Sequence, residues 1–263
     1  MHFTKMHGLG NDYLYVYGEV PPDVAELSRR LSDRHFGAGS DGMIYISPSH
    51  IADFRMRIFN ADGSEAMMCG NGIRCVGKYV YDRGLTQKMT LSIETLSGVK
   101  ELQLQVVNGS VSAAAVNMGT AIVSDDLIVR TSLADVTCTP VSVGNPHAVL
   151  FVDDAETAPV AELGSLIEHH PLFPGGVNVE FVQVVSNHEL RMRVWERGSG
   201  ITMACGTGTC ASVAAAVSKG FCPADETITV HLDGGDLRIT VGEDRTVTMA
   251  GPAETVYEGE VRL

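Results

Sequence analysis

Apolar positions along this chain follow two rhythms, and each predicts a different element. In the first half, Phe3, Met6, Leu14 and Val16 flank the turn Gly8-Leu9-Gly10-Asn11-Asp12 and predict two strands over residues 1–18. Residues 43–46, 54–59, 90–94 and 102–107 are strand-like, and Asn108-Gly109 predicts a two-residue hairpin into 111–115. Helical spacing occurs twice. Val24, Leu27 and Leu31 form a stripe opened by Pro21, Pro22 and Asp23 and ending near His35. Ile73, Val76, Gly77, Val80 and Tyr81 form another, starting at Gly70 or Asn71 and closed by Gly84.

The second half repeats the style. Strands are expected at 149–152, 179–185 and 190–195, with a short helix on Val160, Leu163 and Ile167 stopped by Pro171. The run ASVAAAVSKG before Gly220 is almost wholly small and apolar, which suits a helix packed on all sides. Strands at 228–232 and 237–241 flank Asp233-Gly234-Gly235, and 246–249 and 256–263 complete the chain. Many short strands and one strongly buried helix per half define an α+β class, with mainly antiparallel sheets curled about a central helix. Two pseudo-symmetric domains are expected at 1–117 and 118–263, the last strand (about 252–263) being a candidate to pack on the first.

That symmetry is written in the letters. Residues 55–72, RMRIFNADGSEAMMCGNG, align without a gap on 191–208, RMRVWERGSGITMACGTG, at an offset of 136. Seven of the eighteen positions are identical, among them Cys69/Cys205, Gly70/Gly206 and Gly72/Gly208. Each repeated cysteine immediately precedes an expected helix start.

Composition narrows the partners. A formal charge of -13 disfavours nucleic acid or an anionic membrane as a general partner. The start MHFTKMHGLGNDYLYVYG lacks the pattern of a secretory signal, and no apolar run approaches the ~20 residues of a membrane span. A cytoplasmic protein is expected, with its six cysteines as reduced thiols.

A helix start offers unpaired amides and the positive end of the dipole, so it attracts a carboxylate. Glycines beside Asn71 and Thr207 allow close approach, and a thiol at such a place should ionise more easily. Two such starts acting on one carboxylate would place a sulfur on either side of the adjacent carbon. Inverting that carbon needs one group to take a proton and another to supply one from the opposite face. A thiolate and a thiol suit this, because like charges resist double ionisation.

Other readings are weaker. Five residues separate Cys69 from Cys75 and four separate Cys205 from Cys210, without a nearby histidine, which is poor zinc spacing. No lysine sits in a Gly-rich context suited to a pyridoxal Schiff base, and the Gly8-Leu9-Gly10 segment leads into a strand rather than a nucleotide-binding helix. Cys75, Cys138, Cys210 and Cys222 read as buried apolar groups. A thiol hydrolase would need a positioned histidine, and His147 after Asn145-Pro146 is the one in a suggestive context, as a site residue or as a structural turn residue. A non-catalytic amino-acid receptor is a further alternative. Opposite Asn60-Ala61 the second half carries Glu196-Arg197, able to recognise a second ammonium and a second anionic end, or to pair with each other.

MHGLGND, FNADGSEAMMCGNGIRC, GNPH, VNVEF and RVWERGSGITMACGTGTCAS together resemble the diaminopimelate epimerase family, from Met1 to the last strand. The resemblance implies cofactor-independent interconversion of LL- and meso-diaminopimelate and two similar domains. It implies no metal, a small diamino dicarboxylate as partner, and allows a homodimer. By position, Cys69 and Cys205 match the acid/base pair, and Gly70, Asn71, Gly206 and Thr207 the pocket for the reacting carboxylate. Asn11, Asn60, Asn145 and Asn178 match substrate-contacting asparagines, Glu196 and Arg197 the grip on the non-reacting end, and His147 a histidine close to the site. The chain departs from many relatives at Gly42, Ala148 and Ile201, none an acid/base position.

Overall fold

The computed structural model describes residues 1–262, which form two compact units. One comprises Met1–Val116 and the segment from Gly251 onward, the other Asn117–Ala250. Each is α+β and built in the same order.

In the first unit, strand His2–Gly8 pairs antiparallel with Asn11–Tyr17 on one side and with Glu254–Glu260 on the other. Helix α1 (Val24–Ser32) then leads to Gly42–Pro48, parallel to Asn11–Tyr17 and antiparallel to Phe54–Asn60. Helix α2 (Gly70–Asp82) leads to Thr90–Thr95, parallel to Phe54–Asn60, after which Gly98–Val107 and Ser110–Thr120 add antiparallel strands. Alternation explains the inner face, since Phe54, Met56 and Ile58 are buried while Arg55 and Arg57 are partly exposed. The sheet wraps α2, whose residues from Gly70 to Val80 are all buried. Gly77 permits this, because a Cβ there would meet Leu104 Cδ2 at 2.8 Å.

In the second unit, Asp135–Ser142 pairs antiparallel with Leu127–Arg130, Ile122–Val123 and Pro146–Phe151. Helix α3 (Val160–Glu168) leads to Asn178–Ser186, parallel to Pro146–Phe151 and antiparallel to Glu189–Glu196. Helix α4 (Gly206–Ser218) leads to Thr227–Leu232, parallel to Glu189–Glu196, with Gly235–Val241 and Thr246–Pro252 following antiparallel. Ala211, Val213, Ala214, Ala215 and Ala216 are all buried, as a helix enclosed by its sheet requires.

Three expectations shift. Helix α1 stops at Ser32, short of His35, because Asp33 Oδ1 accepts the N–H groups of His35 and Phe36, each at 2.7 Å, in place of continued helical bonds. The strand expected from 149 begins at Pro146, so His147 lies in a strand paired with Asn178 and not in a turn; proline is tolerated there as the first residue. The final strand ends at Glu260, and Leu263 lies outside the described residues. Among the described residues no helix is long and apolar enough to cross a membrane, and no group of three His, Cys, Asp or Glu side chains gathers to hold a metal ion.

Candidate active site

Both repeated cysteines are helix N-caps. Cys69 (φ -137°, ψ 116°) precedes α2 and its sulfur accepts the N–H of Gly72 at 3.3 Å. Cys205 (φ -115°, ψ 109°) precedes α4 and accepts the N–H of Gly208 at 3.4 Å. Extended backbone followed by a helix puts each sulfur where a serine or aspartate oxygen usually caps. Gly70 and Asn71, and Gly206 and Thr207, form the first turns, whose amides lack intrahelical acceptors by construction.

In the first unit the Cys69 thiol donates to Asn11 Oδ1 at 3.3 Å. The Asn11 amide is oriented by Asp41, whose Oδ2 accepts from Asn11 Nδ2 at 2.9 Å and from the Asp12 N–H at 3.0 Å. Arg34 bridges Asp12 and Asp41, and Lys5 pairs with Asp12 at 2.7 Å. Tyr13 is buried beside Cys69, and burial, then the sulfur's charge, hold its hydroxyl un-ionised. Behind the first turn lies Arg74, fully buried, donating to Gly70 O (3.1 Å), Asn71 Oδ1 (2.9 Å) and Pro252 O (3.1 Å). Asn60 ends its strand and donates to Ser64 Oγ at 3.1 Å.

The second unit gathers more of the candidates into one network. Asn145 Nδ2 donates to Thr207 Oγ1 at 3.2 Å, and Thr207 Oγ1 lies 3.6 Å from Cys205 Sγ. His147 is buried, with Nε2 3.0 Å from Asn145 Oδ1 and Nδ1 2.7 Å from Glu180 Oε1. Glu196 accepts from Thr202 Oγ1, and burial, the largest effect, pushes its carboxyl above the usual range. Asn178 Oδ1 accepts the Arg197 N–H at 2.9 Å, while its Nδ2 donates to Pro146 O at 3.0 Å. The exposed Arg197 guanidinium donates to Gly175 O at 3.0 Å and not to Glu196. Below this corner Glu168 accepts from Trp195 Nε1 at 2.7 Å and from the Gly198 N–H at 2.8 Å, fixing the 195–198 segment.

The two sulfurs differ in surroundings. Cys69 is partly exposed and faces a neutral amide, whereas Cys205 is buried among carboxylates. The expectation that a helix start eases ionisation does not hold for Cys205 in the free protein. Burial and then the charges of Glu196 and Glu180 raise its thiol well above the ordinary range, outweighing the Gly208 N–H and the Thr207 hydroxyl, which act to lower it. The other four cysteines are buried, and none of the six forms a disulfide.

Sequence reasoning missed Arg74, Asp41, Tyr13 and Glu180. None announces itself in the letters: Arg74 shares its helix face with Asn71 and Lys78, Glu180 is two residues from Asn178, Asp41 precedes Gly42, and Tyr13 is two residues from Asn11.

A sheet-dominated α+β fold in two like-ordered units is shared with solved structures. A probable proline racemase from Agrobacterium radiobacter K84 superposes with a TM-score of 0.77 at 19 % identity, covering 100 % of this chain and 93 % of that one. A phenazine biosynthesis protein of the PhzF family from Bacillus anthracis gives 0.79 at 18 %, covering 100 % and 99 %. The family model described as diaminopimelate epimerase matches residues 3–123 and 139–256. A curated diaminopimelate epimerase from Acetivibrio thermocellus is 50 % identical, with 100 % of this chain and 99 % of that one covered. The chain belongs to the diaminopimelate epimerase family.

Proposed function

We propose that this protein interconverts LL- and meso-2,6-diaminopimelate by moving a proton at one α carbon between two thiols. The observation that carries the reading is the duplicated cysteine cap, the same sulfur-on-first-turn device built twice in one chain. One cysteine, as thiolate, takes the α proton while the other, as thiol, delivers a proton to the opposite face. The product is the inverted carbon, and the two sulfurs have exchanged protonation states. The electron pair left by the departing proton spreads into the carboxylate, where the first-turn amides of Gly70, Asn71, Gly206 and Thr207 stabilise it. Such donors are worth ~10²–10³-fold each in related settings, beside ~10²–10⁴ from acid–base transfer. Asn11, Asn60, Asn145 and Asn178 bind the substrate's polar groups, and Glu196 and Arg197 its non-reacting end, with His147 supporting Asn145. No cofactor takes part.

The substrate's ammonium also answers the raised Cys205 thiol, because a cation beside Glu196 offsets the carboxylate charge that holds the proton on sulfur. The protein works in the cytoplasm, where a reducing environment keeps both thiols available, and as a homodimer. Light scattering on the purified protein tests the second point, and cell fractionation the first.

The decisive experiment is turnover in deuterated buffer. Product gains one solvent deuteron at the inverted carbon, and Cys69→Ala or Cys205→Ala abolishes epimerisation. Epimerisation by either variant would remove the two-thiol reading.

A further inference from the structure

The second unit carries one buried acid that the reaction scheme above does not use. Glu180 lies in strand Asn178–Ser186 with its side chain fully buried, directly below the first turn of α4. A Cβ on Gly208 would meet Glu180 Oε1 at 2.6 Å and Cys205 Sγ at 3.2 Å. In the first unit the same place holds an apolar group, for a Cβ on Gly72 would meet Ile44 Cδ1 at 2.7 Å. Ile44 and Glu180 are also separated by 136 residues, the offset of the repeat. A carboxylate therefore stands in one half where the other has a core isoleucine. Its Oε2 is buried with no hydrogen-bond partner among the described residues. Burying such an oxygen is costly, so stability does not account for it.

Its other oxygen begins a chain with a definite direction. Glu180 Oε1 meets His147 Nδ1, and His147 Nε2 meets Asn145 Oδ1, which is an acceptor only. The ring therefore donates from Nε2, and the remaining proton lies on the line between Nδ1 and Glu180. Held this way, Asn145 must present its Nδ2 to Thr207 Oγ1. Thr207 Oγ1 then accepts from Asn145, which leaves its single O–H to donate, and Cys205 Sγ stands 3.6 Å away. That donation favours the thiolate, against burial and the carboxylates. Glu196 and Cys205 are the other titratable groups coupled to this pair. In the first unit Asn71, the counterpart of Thr207, accepts instead from Arg74.

We propose that Glu180 is the positioning residue of this half-site, fixing through His147 and Asn145 the direction of a hydrogen-bond chain that ends with Thr207 donating to Cys205. With both nitrogens donating, the ring carries two protons, the second held by the Glu180 carboxylate; without that acceptor the ring keeps one proton and Nε2 no longer has to donate, so the Asn145 amide can turn over and the Thr207 hydroxyl donates to Asn145 and leaves the sulfur. As in the catalytic triad, a buried acid accepts from Nδ1 and fixes the ring, but here Nε2 also donates. It rests on Cys205 being an acid/base group.

The test compares Glu180→Ile, which installs the first unit's residue, with Glu180→Gln, whose amide N–H₂ can donate to Nδ1 and keep Nε2 as the donor. Glu180→Ile lowers kcat about 10- to 100-fold with KM nearly unchanged, at or below the lower end of a full acid–base contribution, as suits a residue that acts through others. Glu180→Gln stays within about threefold of wild type, since it preserves the chain's direction. Nitrogen-15 spectra of the His147 ring, assigned by difference from a His147→Gln sample, show a proton on Nε2 in wild type and in Glu180→Gln. Wild-type kcat in Glu180→Ile, equal loss in both variants, or a wild-type ring without a proton on Nε2 overturns the proposal. Failure of the wild-type protein to exchange the α proton would instead sink the function proposed above, while the ring spectra still decide the Glu180 pairing.

Discussion

Cys69 and Cys205 start their helices alike but differ in exposure. One faces Asn11, and the other is enclosed with Glu196 and Glu180. Alkylation separates them. Peptide mapping after iodoacetamide at pH 8 finds Cys69 modified first and Cys75, Cys138, Cys210 and Cys222 untouched in the folded protein, in line with burial. The alkylation rate of Cys205 in the free protein keeps rising past the pH at which an ordinary thiol levels off, because its folded-state ionisation lies higher. Cys69→Ser and Cys205→Ser retain a capping atom, so both melt near the wild-type temperature while losing activity. A large fall in melting temperature would make the sulfurs structural. Asp12 gives a pH signature elsewhere. Burial raises its carboxyl, but Arg34 and Lys5 outweigh that and hold it below the ordinary carboxylate value. A depressed acid contributes stability above its unfolded pKa and loses it as pH falls through the folded one. Wild type therefore loses melting temperature below about pH 4 more steeply than Asp12→Asn. At this scale the sequence disclosed the cysteines, asparagines and Glu196-Arg197 as letters. It did not disclose Glu180 or Arg74, because a buried charge is recognised only by what surrounds it.

Periodicity is a local property, and the helices were legible for that reason. The stripe from Ile73 to Tyr81 belongs to α2, and the small-residue run to α4, which begins at Gly206 as the repeat with α2 requires. Boundaries slipped where a side chain competed with the backbone, at Asp33, or where pairing set the strand start, at Pro146. How tightly a helix packs was not legible. Helix α3 presses Gly164 on Trp195, where an added Cβ would lie 2.5 Å from Trp195 Cβ and 2.8 Å from its Cγ. Gly164→Ala must displace Trp195, and with it the strand end carrying Glu196. Overpacking of this kind costs about 1–3 kcal/mol. The expected result is a melting temperature lower by several degrees together with reduced kcat. An unchanged melting curve would mean that the strand yields without strain.

The whole molecule closes its first unit with its last strand. Glu254–Glu260 lies on His2–Gly8, with Phe3 and Tyr257 edge to face at 6.0 Å and Arg83 bonded to Glu258. Ending the chain after Ala253 leaves the His2–Gly8 edge unpaired, and such edges recruit other chains. The truncated protein is expected to lose soluble yield and its cooperative melt, as scored by sedimentation and calorimetry. Soluble, cooperatively folded truncated protein would show that the strand is dispensable.

By itself the sequence determined the rhythm of strands and helices, the duplication, and the family motifs, since all of these are read from neighbours along the chain. Only the tertiary structure decided that the Glu180 carboxylate lies beneath one helix start and the Ile44 side chain beneath the other, and that burial and two carboxylates act on the Cys205 sulfur. Those facts depend on burial and on distances between strands far apart in sequence. Ionisation responds to that surrounding field and not to the order of the letters.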